Sequence, residues 1–267
     1  MKRLGANEAA LRRLIESGIT VESIREELLC IAPTDIGPKL WADLHTRGFD
    51  RCGVKVDGRV VGYVESPDSD AATVETLPIS VDDLVADTTP LWQVMPRLAD
   101  AKWLFVLTAS GPTGVVTVAD LAKPPARLLM FGLISLLEMT LLALIHREYR
   151  DDGWRDLLSG GRIEKAEALL TQRKAKGQDI DLADCLQWSD KATICAKTPR
   201  VMTAWGFSSK SACDRLFKNA QDLRDQLAHA QHPAPDGDWC RVVQWLREAD
   251  RLIKANMALL DGYWEVA

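Results

Sequence analysis

The chain has 267 residues, 47% of them hydrophobic, and a formal net charge of −5. That length favours two domains with modest cores. The charge balance, 13 Lys+Arg against 18 Asp+Glu in residues 1–125 and 20 against 20 in residues 126–267, argues against a basic surface that binds nucleic acid non-specifically.

In chain order, Asn7–Gly18 and Thr20–Leu29 read as short helices, the first closed by Gly18 and the second opened by Thr20 as its cap. Ile36–Thr46 is helical in pattern. Arg51–Val56 and Arg59–Val64 alternate as strands around Asp57-Gly58, a strong two-residue hairpin signal. Ser66–Asp70 is a loop. About fifty residues later the order returns: Leu91–Asp100 as helix, Trp103–Thr108 as strand, Ser110–Thr113 as turn and Gly114–Val118 as strand. The six cysteines include no CxxC pair and no histidine at zinc spacing, so they read as packing residues and no metal is expected. The Met1-Lys2-Arg3 start has no signal-peptide character, which points to a reducing cytoplasm.

The repeat ends in Gly114-Val115-Val116-Thr117-Val118-Ala119-Asp120 in its second copy and Gly62-Tyr63-Val64-Glu65-Ser66-Pro67-Asp68 in its first. This arrangement resembles a tandem pair of CBS motifs. The resemblance implies a cleft that takes an adenine nucleotide of the AMP, ADP or ATP type as a regulatory ligand, with Thr117, Asp120 and Asp68 as candidate binding residues. A hydroxyl and a carboxylate there can hydrogen-bond a ribose diol. Glu65 stands where the second copy has Thr117, so at most one good nucleotide site is expected. The alternative is that Thr117 and Asp120 cap the following helix. Lys123 and Arg127 could meet a phosphate or be ordinary surface charges.

From Pro125 onward strand signals nearly vanish, and five helices are predicted: Ala126–Tyr149, Arg162–Lys176, Leu182–Lys197, Ser209–Gln231 and Trp239–Leu260. Ser211 with Asp214 reads as a capping box and Asp238 as the cap of the last helix. Leu128–Ile145 has the length and apolarity of a membrane span. Glu138 at its middle argues instead for a buried helix, with no membrane partner and a second apolar face that suggests a partner surface, either another copy of the chain in a homodimer or the first domain.

In the fourth helix Leu216, Ala220, Leu223, Leu227 and Ala230 mark a buried stripe. At about 100° per residue, Asp225 and His229 point away from that stripe and Arg224 flanks it. Arg224, Asp225 and His229 resemble the Arg-x4-6-His signature of HEPN domains, a helical family with many metal-independent ribonucleases and toxin or phage-defence components. The resemblance implies a homodimer whose two motifs face each other, acting on RNA without a catalytic cofactor.

His229 would take a proton from a ribose 2′-hydroxyl and Arg224 would clamp the phosphate. Asp225, four residues before His229, would orient the imidazole. His232 could assist or simply end the helix. Glu138 could pair with Arg224 or support His229. The plain alternative is an exposed Asp225–His229 pair and a solvated Arg224, just as Arg173-Lys174-Ala175-Lys176 reads either as an RNA contact or as a solvated helix end.

The expected architecture is therefore α+β, a tandem CBS-like α/β module in residues 1–125 followed by an all-α five-helix HEPN-like bundle in residues 126–267. The expected function is a nucleotide-regulated endoribonuclease. The competing reading is a non-catalytic adenine-nucleotide sensor or scaffold whose bundle serves dimerisation or partner binding.

Overall fold

The computed structural model describes residues 6–66, 75–101 and 103–261. It is an α+β chain with two small sheets, and it divides into two compact units, Glu16–Ala126 and Met1–Ile15 with Arg127–Ala267.

Helix α1, Ala6–Arg13, belongs with the second, helical unit, although the sequence places residues 1–125 together. Arg12 shows why. Its guanidinium lies 3.8 Å from the Asp250 carboxylate and donates to the Met257 sulfur at 3.0 Å. These are contacts that no local pattern reveals.

The first unit contains β1 (Glu26–Glu27), β2 (Cys30–Ile31), α2 (Pro38–Arg47), β3 (Arg51–Val56), β4 (Arg59–Glu65), β5 (Leu84–Ala86), α3 (Leu91–Ala101), β6 (Trp103–Thr108) and β7 (Gly111–Thr117). The repeat is a β-α-β-β unit: β2 runs parallel to β3, β5 runs parallel to β6, and each is followed by an antiparallel hairpin. Even the irregularities correspond, with register shifts at Val54/Lys55 and at Val106/Leu107. In the first hairpin Asp57 and Gly58 both adopt positive φ, 48° and 78°, as a tight right-twisting turn requires. The second turn is tighter than Ser110–Thr113, because β7 already begins at Gly111 and pairs with Thr108.

Thr20–Leu29 is not a helix. A single 3-10 turn, Val21–Ser23, gives way to β1, which pairs antiparallel with β7 of the other repeat. Val21 and Ile24 are fully buried at a three-residue spacing, which imitates a helical stripe. The backbone instead bonds outward, Val21 N to Thr89 O and Glu22 N to Asp87 O. Tertiary pairing thus overrides local propensity.

The exchange is reciprocal, since Leu77, ahead of the second repeat, bridges to Tyr63 on β4 of the first. Both crossings pass over glycine: a Cβ on Gly62 would meet the Leu77 carbonyl oxygen at 2.4 Å, and one on Gly114 would meet that of Glu26 at 3.0 Å. Between the sheets Tyr63, Trp103 and Phe105 form an aromatic cluster, and the Arg51 guanidinium lies 4.3 Å from the Trp103 ring centroid.

The helical unit contains α4 (Pro124–Glu148, whose first residues close the first unit), α5 (Gly160–Ala175), α6 (Trp188–Ala196), α7 (Pro199–Trp205), α8 (Lys210–Ala228) and α9 (Trp239–Asp261). The five-helix expectation misses α7, a seven-residue helix that starts on Pro199 and closes on Gly206 at φ 64°. The expected third helix also starts late, because a 3-10 turn at Ala183–Cys185 precedes α6. The cap of α8 is Ser209, whose hydroxyl accepts from Ala212 N, rather than a box of Ser211 and Asp214.

Helix α4 is long and apolar enough to cross a membrane, and 56% of that stretch is buried within the chain. Leu129, Leu133, Leu137, Leu141 and Leu144 are all at most 2% exposed, whereas Leu128 and Phe131 remain open. At about 100° per residue these buried positions share one side of α4, and Leu128 and Phe131 lie on the other. A buried polar chain crosses the unit: Trp205 Nε1 donates to Asn256 Oδ1 at 2.7 Å, and Asn256 Nδ2 donates to Thr140 Oγ1 at 2.9 Å.

Candidate functional site

Helix α8 carries the Arg224, Asp225 and His229 set. Its packed side holds Cys213, Leu216, Phe217, Ala220, Leu223 and Leu227, as the periodicity requires. Two indoles pin it: Trp188 Nε1 donates to Phe217 O at 3.2 Å and Trp245 Nε1 to Leu216 O at 2.9 Å. Ala230 is not part of the stripe. It lies beyond the helix, exposed, at φ 55°.

The end of α8 is held from outside. Arg127 donates to Leu227 O at 3.0 Å, to Gln231 O at 2.6 Å and to Gln226 O at 3.4 Å, adding a cation to carbonyls of which Leu227 O and Gln226 O also accept from Ala230 N and Gln231 N. The sequence leaves Arg127 open between a phosphate contact and an ordinary surface charge, and here its guanidinium binds the carbonyls of this helix end.

His229 is the C-cap residue and is exposed, and its backbone N donates to Asp225 O at 3.0 Å. Asp225 is exposed and Arg224 half-exposed, with Arg224 Nη1 3.6 Å from Asp225 Oδ1. Among the described residues no hydrogen bond joins the Asp225 carboxylate to the His229 ring. Asp225 faces the guanidinium instead. The three side chains thus share one accessible helix end.

His232 is engaged elsewhere. Its Nδ1 accepts from Ala234 N at 3.1 Å and its ring meets Trp239 edge-on at 5.5 Å, so it shapes the turn into α9. Glu138 does not reach Arg224 or His229. It accepts from Lys191 Nζ at 2.8 Å, and Lys191 is only 6% exposed. A groove of about 280 Å³ borders α8, lined by Asn219, Asp222, Gln226, Pro233, Arg241 and Trp245, and none of Arg224, Asp225 or His229 lines it. Arg241, on the wall of this groove, pairs with Asp236 at 2.7 Å. The Asp238 backbone N–H and then Arg241 hold the Asp236 carboxyl below its ordinary range.

In the first unit Thr117 ends β7 and Asp120 lies in the 3-10 turn Val118–Ala122. Asp120 is 7% exposed. Its Oδ2 accepts from Thr117 N at 2.6 Å and from the Thr117 hydroxyl at 3.0 Å, while Oδ1 lies 2.8 Å from Lys123 Nζ. Lys123 also meets Glu26 and Ile24 O. Burial works against the Lys123 charge, but the hydrogen bonds it donates to Asp120 and Glu26 outweigh it and raise the pKa. The capping role is therefore filled. Glu65, at the matching place in the first repeat, accepts from Arg51 at 2.8 Å. Asp68 lies outside the described residues.

One cluster was illegible in the sequence. His146, Asp181 and Asp184 bring one ligand atom each within 4.8 Å of one another. His146 stands too far along the chain from the two aspartates for any local spacing to reveal them.

No protein-family model matches the chain, and no curated protein does. Among solved structures, the chain is similar to the CBS domain of a Clostridium difficile 630 protein described as a transporter. The identity is 19%, the match covers 40% of this chain and 92% of that one, and the TM-score is 0.32.

Proposed function

We propose that the chain is a metal-independent endoribonuclease of the HEPN type, acting as a homodimer in the cytoplasm and regulated by an adenine nucleotide at a CBS-like first unit. The observation that carries this reading is the accessible end of α8, where Arg224, Asp225 and His229 stand clear of a helix packed on its other side. The fold uses none of the three side chains for its core.

The chemistry follows from these groups. His229 removes the proton of a ribose 2′-hydroxyl, the freed oxygen attacks the adjacent phosphorus, and the bond to the 5′-oxygen breaks as that oxygen takes a proton from His229 of the facing chain. The products are a 2′,3′-cyclic phosphate and a 5′-hydroxyl. Arg224, permanently charged, donates to the phosphoryl oxygens as charge builds there. Asp225 keeps the guanidinium oriented. Two chains facing each other across a two-fold axis would supply paired sets.

For the ligand, Asp120 has to exchange its contacts with Thr117 and Lys123 for a ribose diol, which couples nucleotide binding to movement at the end of β7. Calorimetry with AMP, ADP and ATP on the intact protein and on Asp120→Asn, which keeps one acceptor oxygen, tests that part.

The second reading is a non-catalytic sensor or scaffold, favoured by the absence of a basic surplus in either half. Incubating the protein with total RNA and transfer RNA in EDTA, with and without each nucleotide, separates the two. Uncut RNA under every condition rejects the nuclease and leaves the scaffold.

A further inference from the structure

We propose that His146, Asp181 and Asp184 form a site for a divalent transition-metal ion. His146 lies in the last turn of α4, and on the segment between α5 and α6 Asp181 precedes the 3-10 turn Ala183–Cys185 while Asp184 lies within it. Their ligand atoms all fall within 4.8 Å of one another. An ion bound at about 2.0–2.2 Å by nitrogen and oxygen spaces its ligands roughly 3 to 4.4 Å apart, so small side-chain rotations close the set.

The carboxylates are placed before any ion arrives. Asp181 Oδ1 accepts from Asp184 N at 3.2 Å and Asp184 Oδ2 accepts from Asp181 N at 3.0 Å. Each acid thus spends one oxygen on the backbone and keeps the other for a ligand, while Asp181 Oδ2 already lies 3.6 Å from His146 Nδ1. Ligands held by outer hydrogen bonds bind with less reorganisation. Two negative charges balance a divalent ion, and the partial negative charge at the α4 C-terminus adds to the attraction. The neighbouring cations are Arg173 and Lys174, which act on Cys185 beside Asp184. Among the described residues neither forms an ion pair with Asp181 or Asp184.

The donor set decides the metal class. One imidazole with two carboxylates suits zinc, cobalt or manganese, whereas calcium and magnesium favour all-oxygen shells. Three protein ligands leave room for water. Bound there, the ion pins the end of α4 to the segment before α6, apart from Arg224 and His229.

The test is calorimetric titration of the EDTA-stripped, dialysed full chain with zinc chloride, backed by cobalt(II) absorption. The site predicts one saturable equivalent per chain, weakened at least tenfold in both His146→Ala and Asp184→Asn. The amide of the latter variant retains an oxygen for the Asp181 N–H, and circular dichroism confirms that both variants are folded. No saturable binding, or binding unchanged in either variant, overturns the proposal. Since RNA cleavage is assayed in EDTA, the two readings fail independently.

Discussion

The guanidinium of Arg127, in the first turn of α4, donates to the carbonyl oxygen of Leu227 at 3.0 Å and so fixes the helix end that carries His229. A cation on the last carbonyls of a helix adds a charge-assisted hydrogen bond and complements the helix dipole.

Arg127→Ala should therefore cost about 1 to 2 kcal/mol of stability, read from urea denaturation. Cleavage should fall with it, because His229 caps the same helix. Arg127→Lys should recover little, since one ammonium cannot reproduce the forked contacts to Leu227 and Gln231. Unchanged stability in Arg127→Ala would remove the capping role.

Glu138 and Lys191 give a second expectation. Lys191 is almost wholly buried, so Glu138→Ala strands its charge and should destabilise by about 3 kcal/mol. Replacing both, Glu138→Leu with Lys191→Met, should regain most of that loss. A double variant as unstable as the single one would mean that packing, and not the uncompensated charge, sets the cost.

The exchanged segments predict an ordering. Gly62→Ala should destabilise more than Gly114→Ala, with the former at about 2 to 3 kcal/mol, because its Cβ would meet a backbone carbonyl at 2.4 Å and not at 3.0 Å. Thermal melts of the two variants decide this, and equal effects would argue against the close approach of Leu77.

Buried thiols set an alkaline limit. Burial raises Cys52 to about 11 and Cys213 to about 12 from an ordinary 9.0. Below pH 9 the thiols are neutral in folded and unfolded chains, and their protonated form costs nothing. Between pH 9 and the folded values only the unfolded chain ionises, so stability falls as pH rises, by at most about 1.4 kcal/mol per pH unit per thiol. Cys213→Ala should flatten that decline in urea midpoints measured from pH 8 to 10.5. A slope identical to wild type would exclude the thiol as its source.

Legibility followed range. Asp57-Gly58 and the alternation of Arg51–Val56 encode a hairpin in adjacent residues, and the stripe on α8 needs only its own spacing. The exchange of β1 onto β7 is different. Two glutamates gain their strand character from a partner far along the chain, and Val21 with Ile24 supplied a false helical signal. Helix α7 escaped because seven residues show barely two turns of periodicity. At the candidate site, the exposure of Asp225 and His229 was legible from helical angles, whereas the partners of Glu138 and Arg127 depend on tertiary packing.

The most direct test of the central claim is end-group analysis of transfer RNA treated in EDTA with wild type, Arg224→Ala and His229→Ala. Neither residue lies on the packed stripe, so both variants should fold with unchanged circular dichroism. The account predicts 2′,3′-cyclic phosphate and 5′-hydroxyl ends from wild type, with activity greatest near neutral pH, and at least a hundredfold loss in each variant. Cyclic-phosphate ends that persist undiminished in both variants, or cleavage by wild type that leaves 3′-hydroxyl ends, would contradict it.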